Sequence, residues 1–278
     1  MRDASPLRYP GGKWRIAPFF ERVLKLNSLT RPHYAEPYAG GGSLALSLLI
    51  REQVSEIHLN DLDIAIHAFW HSVLTRNTDF IELLQHVPIT AEERFKQKAI
   101  YSKGARAGTL ALGFATFFLN RTNHSGILNG GMIGGIDQRG PWKVDARFNR
   151  LELKRRIERI GKLKSRIHLS REDALDFLRS QSHSKRRMIY LDPPYYRAGK
   201  RLYLNAYEPE DHKSVSEYVR GLNCPWVVSY DDVREIRRLY GGVKSRSLQL
   251  LHTARSLRHG KEVLFFSQGL RIPRSIAA

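Results

Sequence analysis

The stretch that most limits how this 278-residue chain can fold is Ile189-Tyr190-Leu191-Asp192-Pro193-Pro194-Tyr195-Tyr196. The apolar run Met188–Leu191 is short, is bounded by turn residues, and reads as a buried strand. The prolines cannot continue a hydrogen-bonded ladder, and they stiffen the backbone. Asp192 is therefore expected at the carboxyl end of a strand, where open α/β sheets hold their ligands. A carboxylate, fixed carbonyls and an aromatic face converge there. Asp192 and the Pro193 carbonyl can accept hydrogen bonds from an exocyclic NH2, and Tyr195 can stack on the ring that bears it. Taken alone, the stretch fits equally well a strand followed by a Pro-Pro turn with surface tyrosines.

A second unit of the same kind comes earlier. His33-Tyr34-Ala35-Glu36-Pro37-Tyr38-Ala39-Gly40-Gly41-Gly42-Ser43, followed by apolar Leu44–Ile50, reads as strand, glycine turn and helix. Gly40 and Gly42 would let a ligand lie against main-chain N–H groups at the helix start. Glu56–Leu59 reads as the next strand and runs into Asn60-Asp61. Asp61 follows Gly42 by 19 residues, near the spacing at which an acid reaches ribose hydroxyls in dinucleotide folds. It also suits the N-cap of the helix that begins at Leu62. The glycine pattern is not that of a pyrophosphate site, so a nucleoside ligand fits better. Upstream, Tyr9-Pro10-Gly11-Gly12-Lys13 makes a tight turn between an aromatic and a cation. Lys13 could hold a ligand carboxylate, or it could be a solvated lysine on a turn.

Beyond residue 63 the strand–helix rhythm stops for about a hundred residues, far more than one βα connection needs. Helical spacing appears at Ala65–Leu74, Asp79–Gln85, Ala91–Ser102 and Leu110–Leu119. A donor-rich loop or hairpin follows, holding Arg121, Asn123, His124 and Asn129, and then a short strand at Trp142–Val144. From Arg147 to Arg187 there are 14 Lys or Arg against 5 acids. Leu151–Leu163 places its apolar residues at helical spacing with cations around them. The whole chain carries a formal charge of +19, which favours a polyanionic partner through counterion release. Residues 64–160 are thus expected to form an inserted, mostly helical recognition domain that grips DNA. Residues 1–63 and 161–278 are expected to form the other domain, built on the sheet and its ligand rim.

The sheet resumes at Arg166–Leu169. Asp173, before the helix Leu175–Leu178, is both an N-cap and an acid on the rim that carries Gly40, Asp61 and Asp192. Lys200, Arg201, Tyr203, Asn205 and Tyr207 make a polar loop after Asp192. Then come helix Glu210–Arg220, strand Trp226–Ser229, helix Asp232–Tyr240, and a closing antiparallel pair, Gln249–Thr253 and Glu262–Ser267, joined by Ala254–Lys261. Cys224 is the single cysteine, which leaves no internal disulfide and no cysteine metal site. No apolar run is long enough to span a bilayer, and the N-terminus has no signal-peptide pattern.

Tyr9-Pro-Gly-Gly-Lys13, Glu36-Pro-Tyr-Ala-Gly-Gly-Gly-Ser43, Asn60-Asp61, Asn120-Arg121 and Asp192-Pro-Pro-Tyr195 occur in that order, with a long insert before the last. In this the chain resembles the Dam-type DNA adenine-N6 methyltransferases of the α-class arrangement, over roughly Leu7 to Tyr240. The resemblance implies an α/β fold with a Rossmann-like methyltransferase sheet that binds S-adenosyl-L-methionine. It implies that Tyr9, Lys13, Gly40, Gly42, Asp61, Asp173 and Asp192 face the cofactor. It gives Asp192, Pro193, Pro194 and Tyr195 the flipped target base, and Arg121, Asn123, His124 and Asn129 the DNA. Well-known members usually carry an aromatic and a basic residue in the hairpin. Here His124 and Asn129 stand at the matching places, so their GATC target does not carry over.

The chemistry expected is attack of the adenine amino nitrogen on a methyl group, with the base out of the duplex. It calls for no metal and no covalent intermediate. Cys224, in Asn-Cys-Pro-Trp, does not suit the cysteine nucleophile of cytosine-C5 methylation. Cytosine-N4 methylation, an RNA or protein amino-methyltransferase of the same sheet, and a DNA-binding module without catalysis are the alternatives. Methylation of one strand at a time needs no dimer symmetry. The expectation is a monomer acting on double-stranded DNA in a prokaryotic or phage-encoded cytoplasmic setting. A companion restriction endonuclease fits that setting and is not required by it.

Overall fold

The computed structural model describes residues 4–9, 12–181, 186–197, 207–252 and 258–274. Pro10, Gly11, Lys200, Arg201, Tyr203, Asn205 and the 253–257 connection lie outside the described residues. The strands are β1 (His33–Glu36), β2 (Glu56–Asn60), β3 (Ile167–Ser170), β4 (Arg187–Leu191), β5 (Trp226–Asp231), β6 (Ser245–His252) and β7 (Arg258–Phe266). They form one sheet in the order β3-β2-β1-β4-β5-β7-β6. β1 to β5 pair in parallel, and β7 runs antiparallel to both β5 and β6. From β1 the chain steps outward to β2 and β3, and from β4 it steps the other way to β5. Strand order therefore reverses between β1 and β4, and a ligand crevice opens at the carboxyl ends of that pair. This is the Rossmann-like methyltransferase sheet that the sequence leads one to expect.

The helices are α1 (Ala17–Leu26), α2 (Ser43–Ile50), α3 (Ile64–Thr75), α4 (Asn77–His86), α5 (Ala91–Ser102), α6 (Thr109–Thr122), α7 (Arg150–Lys162), α8 (Ala174–Gln181), α9 (Pro209–Arg220) and α10 (Arg234–Leu239). Side chains alternate along each strand, so the two faces have separate cores. Tyr34, Ile57, Leu59, Met188 and Tyr190 face α1, α2 and α3. Ala35, Ile189, Leu191 and Val228 face α8, α9 and α10. α1 is a helix that the reading of motifs passed over. Its signal is present: Ile16, Phe19, Phe20, Val23 and Leu24 recur at helical spacing, and all are buried.

The core under α3 runs without a break into residues 64–160. Phe69, Phe80, Phe114, Phe117, Phe118 and Phe148 belong to the same cluster as Phe19 and Tyr34. Phe117 alone meets Phe69, Phe80 and Phe148 at ring-centroid distances of 6.1, 5.5 and 5.5 Å. Trp142–Val144 is not a strand. No neighbouring strand pairs with it, and Val144 N donates instead to Gln138 Oε1 at 2.7 Å. Among the described residues, no helix is long and apolar enough to cross a membrane.

Candidate active site

β1 ends at Glu36, and the chain turns through Ala39–Gly42 into α2. Gly40 and Gly42 have φ of +46° and +54°, the left-handed region that side chains disfavour. A Cβ at Gly40 would sit 2.8 Å from the Tyr9 ring, and one at Gly42 would sit 2.9 Å from the Trp70 indole. The turn therefore needs glycine twice over. Trp70 Nε1 donates to Gly40 O at 2.9 Å, and Gly40 N donates to Asp61 Oδ2 at 2.8 Å. The ends of β1 and β2 are stitched together by these bonds.

Asp61 accepts a second bond from Asp63 N at 3.0 Å. Its enclosure, with neighbouring Asp63, pushes its pKa up to about 7 against those two N–H groups. The N-cap role considered for Asp61 belongs to Asp63, whose carboxylate accepts from Ala65 N at 2.8 Å. Asp173 does cap α8, accepting from Leu175 N at 2.8 Å. Asn60 is the brace beneath this rim. Its amide donates to Pro37 O and Glu172 O, and its Oδ1 accepts from Ser170 Oγ and Glu172 N. One side chain thus fixes the spacing of three strand ends.

Asp192 lies across the crevice at the end of β4. Its Oδ1 accepts from Ser229 Oγ at 2.6 Å, and its Oδ2 is 3.0 Å from Lys13 Nζ. The side chain keeps 26% of its surface exposed, whereas Lys13 keeps 6%. Lys13 also lies 3.3 Å from Glu262 Oε2 and donates to the Tyr195 hydroxyl at 3.0 Å. That hydroxyl in turn donates to Glu262 Oε1. Burial opposes the charge on Lys13, but Asp192 and Glu262 outweigh it and hold its pKa well above the usual lysine value. The turn after the prolines is pinned too, because Asp231 accepts from the backbone N–H groups of Tyr196 and Arg197. Motif reading missed Glu262 and Ser229. Their signal is faint: Ser229 interrupts the apolar run of β5, and Glu262 stands just before the apolar end of β7, paired with Asp231 at the end of β5.

A cleft of about 350 Å3 runs from the glycine turn to Asp192. Tyr9, Gly40, Gly42, Asp61, Asp173 and Asp192 all line it. Pro194 also lines it, while Pro193 is buried beside it. Glu36, at the floor, accepts from Tyr34 Oη and Ala45 N, and burial raises its pKa to about 8.

The segment after α6 is a hairpin, held by His124 N to Gly131 O and Ile133 N to Thr122 O. Here the expected DNA residues divide. Arg121 is 8% exposed, and its guanidinium donates to Pro6 O. Asn123 is fully buried; it accepts from Arg94 and donates to Ile127 O and Leu128 O. Neither side chain is free to meet a base edge in this arrangement. His124 and Asn129 are exposed, and Asn129 accepts from Lys98 Nζ at 2.8 Å. Asn120 exchanges bonds with Arg8 N and Arg8 O, so it hangs the segment that carries Tyr9 from the end of α6.

A family model for D12 class N6 adenine-specific DNA methyltransferases matches residues 9–253. The chain belongs to that family. As an adenine-specific DNA methyltransferase it acts with a methyl donor on DNA. Among solved structures, this methyltransferase is similar to the rRNA methyltransferase aviRa of Streptomyces viridochromogenes, at 14% identity and a TM-score of 0.40. That match covers 93% of this chain and 86% of the other. A Pyrococcus horikoshii protein assigned as an RNA methyltransferase matches at 10% identity and a TM-score of 0.41, over 91% of this chain and 83% of that one. A comparison with curated proteins finds no match.

Proposed function

We propose that the cleft binds S-adenosyl-L-methionine and that Asp192 receives an adenine turned out of double-stranded DNA. The observation that carries this is the anchoring of Asp192 by Ser229 on one oxygen and Lys13 on the other, at the mouth of a glycine-lined cleft. The residues fit the cofactor. Gly40 and Gly42 keep the turn clear of side chains, and Asp61, with two N–H partners, retains lone pairs for ribose hydroxyls. Tyr9 walls the turn, and Asp173 offers an acceptor to the adenine ring. When bound, the cofactor supplies an electrophilic methyl group on a sulfonium.

The amino nitrogen of adenine is a weak nucleophile, because its lone pair is delocalised into the ring. Asp192 and the Pro193 carbonyl accept hydrogen bonds from its two N–H groups and so favour a localised lone pair. Lys13 and Ser229 are positioning residues that hold the Asp192 carboxylate in place. Tyr195, its hydroxyl tied to Glu262, offers a fixed ring for stacking. Much of the rate then comes from holding two partners in line, an effect worth about 7–11 kcal/mol in favourable cases. His124 and Asn129 are the hairpin side chains turned outward toward DNA. Arg121 ties the N-terminal segment to the end of α6, and Asn123 holds the hairpin in shape.

The test is to incubate the protein with unmethylated genomic DNA and S-adenosyl-L-methionine, digest to nucleosides and analyse them by mass spectrometry. N6-methyladenine is the expected product. N4-methylcytosine, or no modified nucleoside from protein shown to bind the cofactor, overturns the reading.

A further inference from the structure

At the opposite end of the sheet, away from the cleft, three histidines surround one carboxylate. His33 and Glu56 open β1 and β2, His58 follows on β2, and His168 lies on β3. The register sets His33 against Glu56 and His58 against His168. Strand alternation then puts all four side chains on one face. Glu56 Oε1 is 3.0 Å from His33 Nδ1 and 2.8 Å from His58 Nε2, and Oε2 is 3.3 Å from His168 Nε2. The donor atoms of His33, Glu56 and His58 all lie within 4.8 Å of one another. The His58 and His168 rings stack at 4.5 Å. His33 Nδ1 is buried and makes no hydrogen bond, because its approach to Glu56 lacks the required angles.

We propose that this face binds one divalent transition ion of the Zn2+ class, with His33, Glu56 and His58 as ligands and His168 stacked against His58 beside the site. Imidazole and carboxylate donors suit such ions. With metal–ligand bonds of about 2.0–2.1 Å, a tetrahedral site separates its donor atoms by roughly 3.3 Å. The distances from Glu56 to His33 and His58 are close to that spacing, and the three donor atoms lie within 4.8 Å of one another. The inner ligands are shielded, with His58 16% and Glu56 27% exposed, while His33 and His168 are open enough to give an entry path. Arg187, opposite His33 on β4, is the competing cation, and its guanidinium donates to Gln181 O. A bound ion would clasp the amino halves of β1 and β2, whose carboxyl ends border the cleft.

The full-length protein, stripped with a chelator, is titrated with Zn2+ in competition with a chromophoric chelator. One ion per chain is expected, with Glu56→Gln and His58→Ala each weakening binding at least tenfold. His71→Ala, which removes one ring of the separate His67–His71 pair on α3, should leave it unchanged. X-ray absorption on the zinc-loaded wild type should show at least two imidazole ligands, and this reading needs no variant to fold. The proposal is overturned if the wild type yields zinc to the chelator. It is overturned equally if binding survives both Glu56→Gln and His58→Ala, if it is lost with His71→Ala, or if the absorption spectrum lacks imidazole.

Discussion

The carboxyl rim of the sheet and the hairpin after α6 were both marked by their polar residues, and the fold treats them in opposite ways. On the rim, Gly40, Gly42, Asp61, Asp173 and Asp192 all reach one cleft. At the end of α6 and in the hairpin, Arg121 and Asn123 turn inward and serve backbone carbonyls, while His124 and Asn129 are exposed, Asn129 at the border of the cleft. The difference lies in what fixes a side chain's direction. At a strand end, alternation and register fix it. In a hairpin, the unsatisfied carbonyls nearby decide it, and an Arg or Asn serves a buried C=O as well as it would a base edge.

The sharpest test of this contrast is a variant on each side. Asp192→Ala is expected to lower methyl transfer by about a thousandfold or more, within the usual range for groups that localise charge at a reacting centre. Far-UV circular dichroism should keep the wild-type shape; retained turnover would remove Asp192 from the reaction. Glu262→Leu strips the buried Lys13 of one partner. Breaking such a pair costs about 3–5 kcal/mol, so the urea midpoint should fall well below that of the wild type. An unchanged midpoint would mean that the network adds nothing to the fold.

On the hairpin side, Asn123→Ala leaves the half-buried Ile127 and Leu128 carbonyls without their side-chain donor, at about 1–3 kcal/mol of stability. Its sequence preference in DNA should match the wild type. Asn129→Ala is expected to do the reverse, leaving stability within about 0.5 kcal/mol and relaxing discrimination at one base pair. If Asn123→Ala shifted the methylated sequence while Asn129→Ala did not, the assignment of inner and outer residues would be wrong.

The remaining prediction is a pH dependence and concerns Asp61. Its folded pKa of about 7 lies above the value near 3.9 for an unfolded aspartate. Between those values the folded state holds a proton that the unfolded state has released. Stability from this group is therefore full below about pH 4, falls as pH rises, and levels off above about 7. Asp61→Asn should flatten that decline, measured as urea midpoints across the window, and should weaken cofactor binding. Glu36, raised to about 8, contributes with the same sign, so some slope remains. A slope identical to that of the wild type would show that Asp61 is well solvated.

Much of this protein was written in the order of its residues. Short apolar runs that end in Glu36, Asp61, Asp173 and Asp192 determined a parallel sheet with acids on one rim, because period and strand polarity are local properties. The glycines of the turn and the stop at Pro193-Pro194 were equally local. The apolar spacing of α1 was legible as well, though motifs drew attention away from it. Tertiary structure alone decided the rest. Glu262 joins Lys13 and Tyr195 only because β7 runs antiparallel beside β5. Asn120 and Arg121 grip the N-terminal segment across more than a hundred residues of chain, which no spacing rule encodes. The same holds for His33, Glu56, His58 and His168. Sequence scatters them over three strands, and hydrogen-bond register sets them side by side.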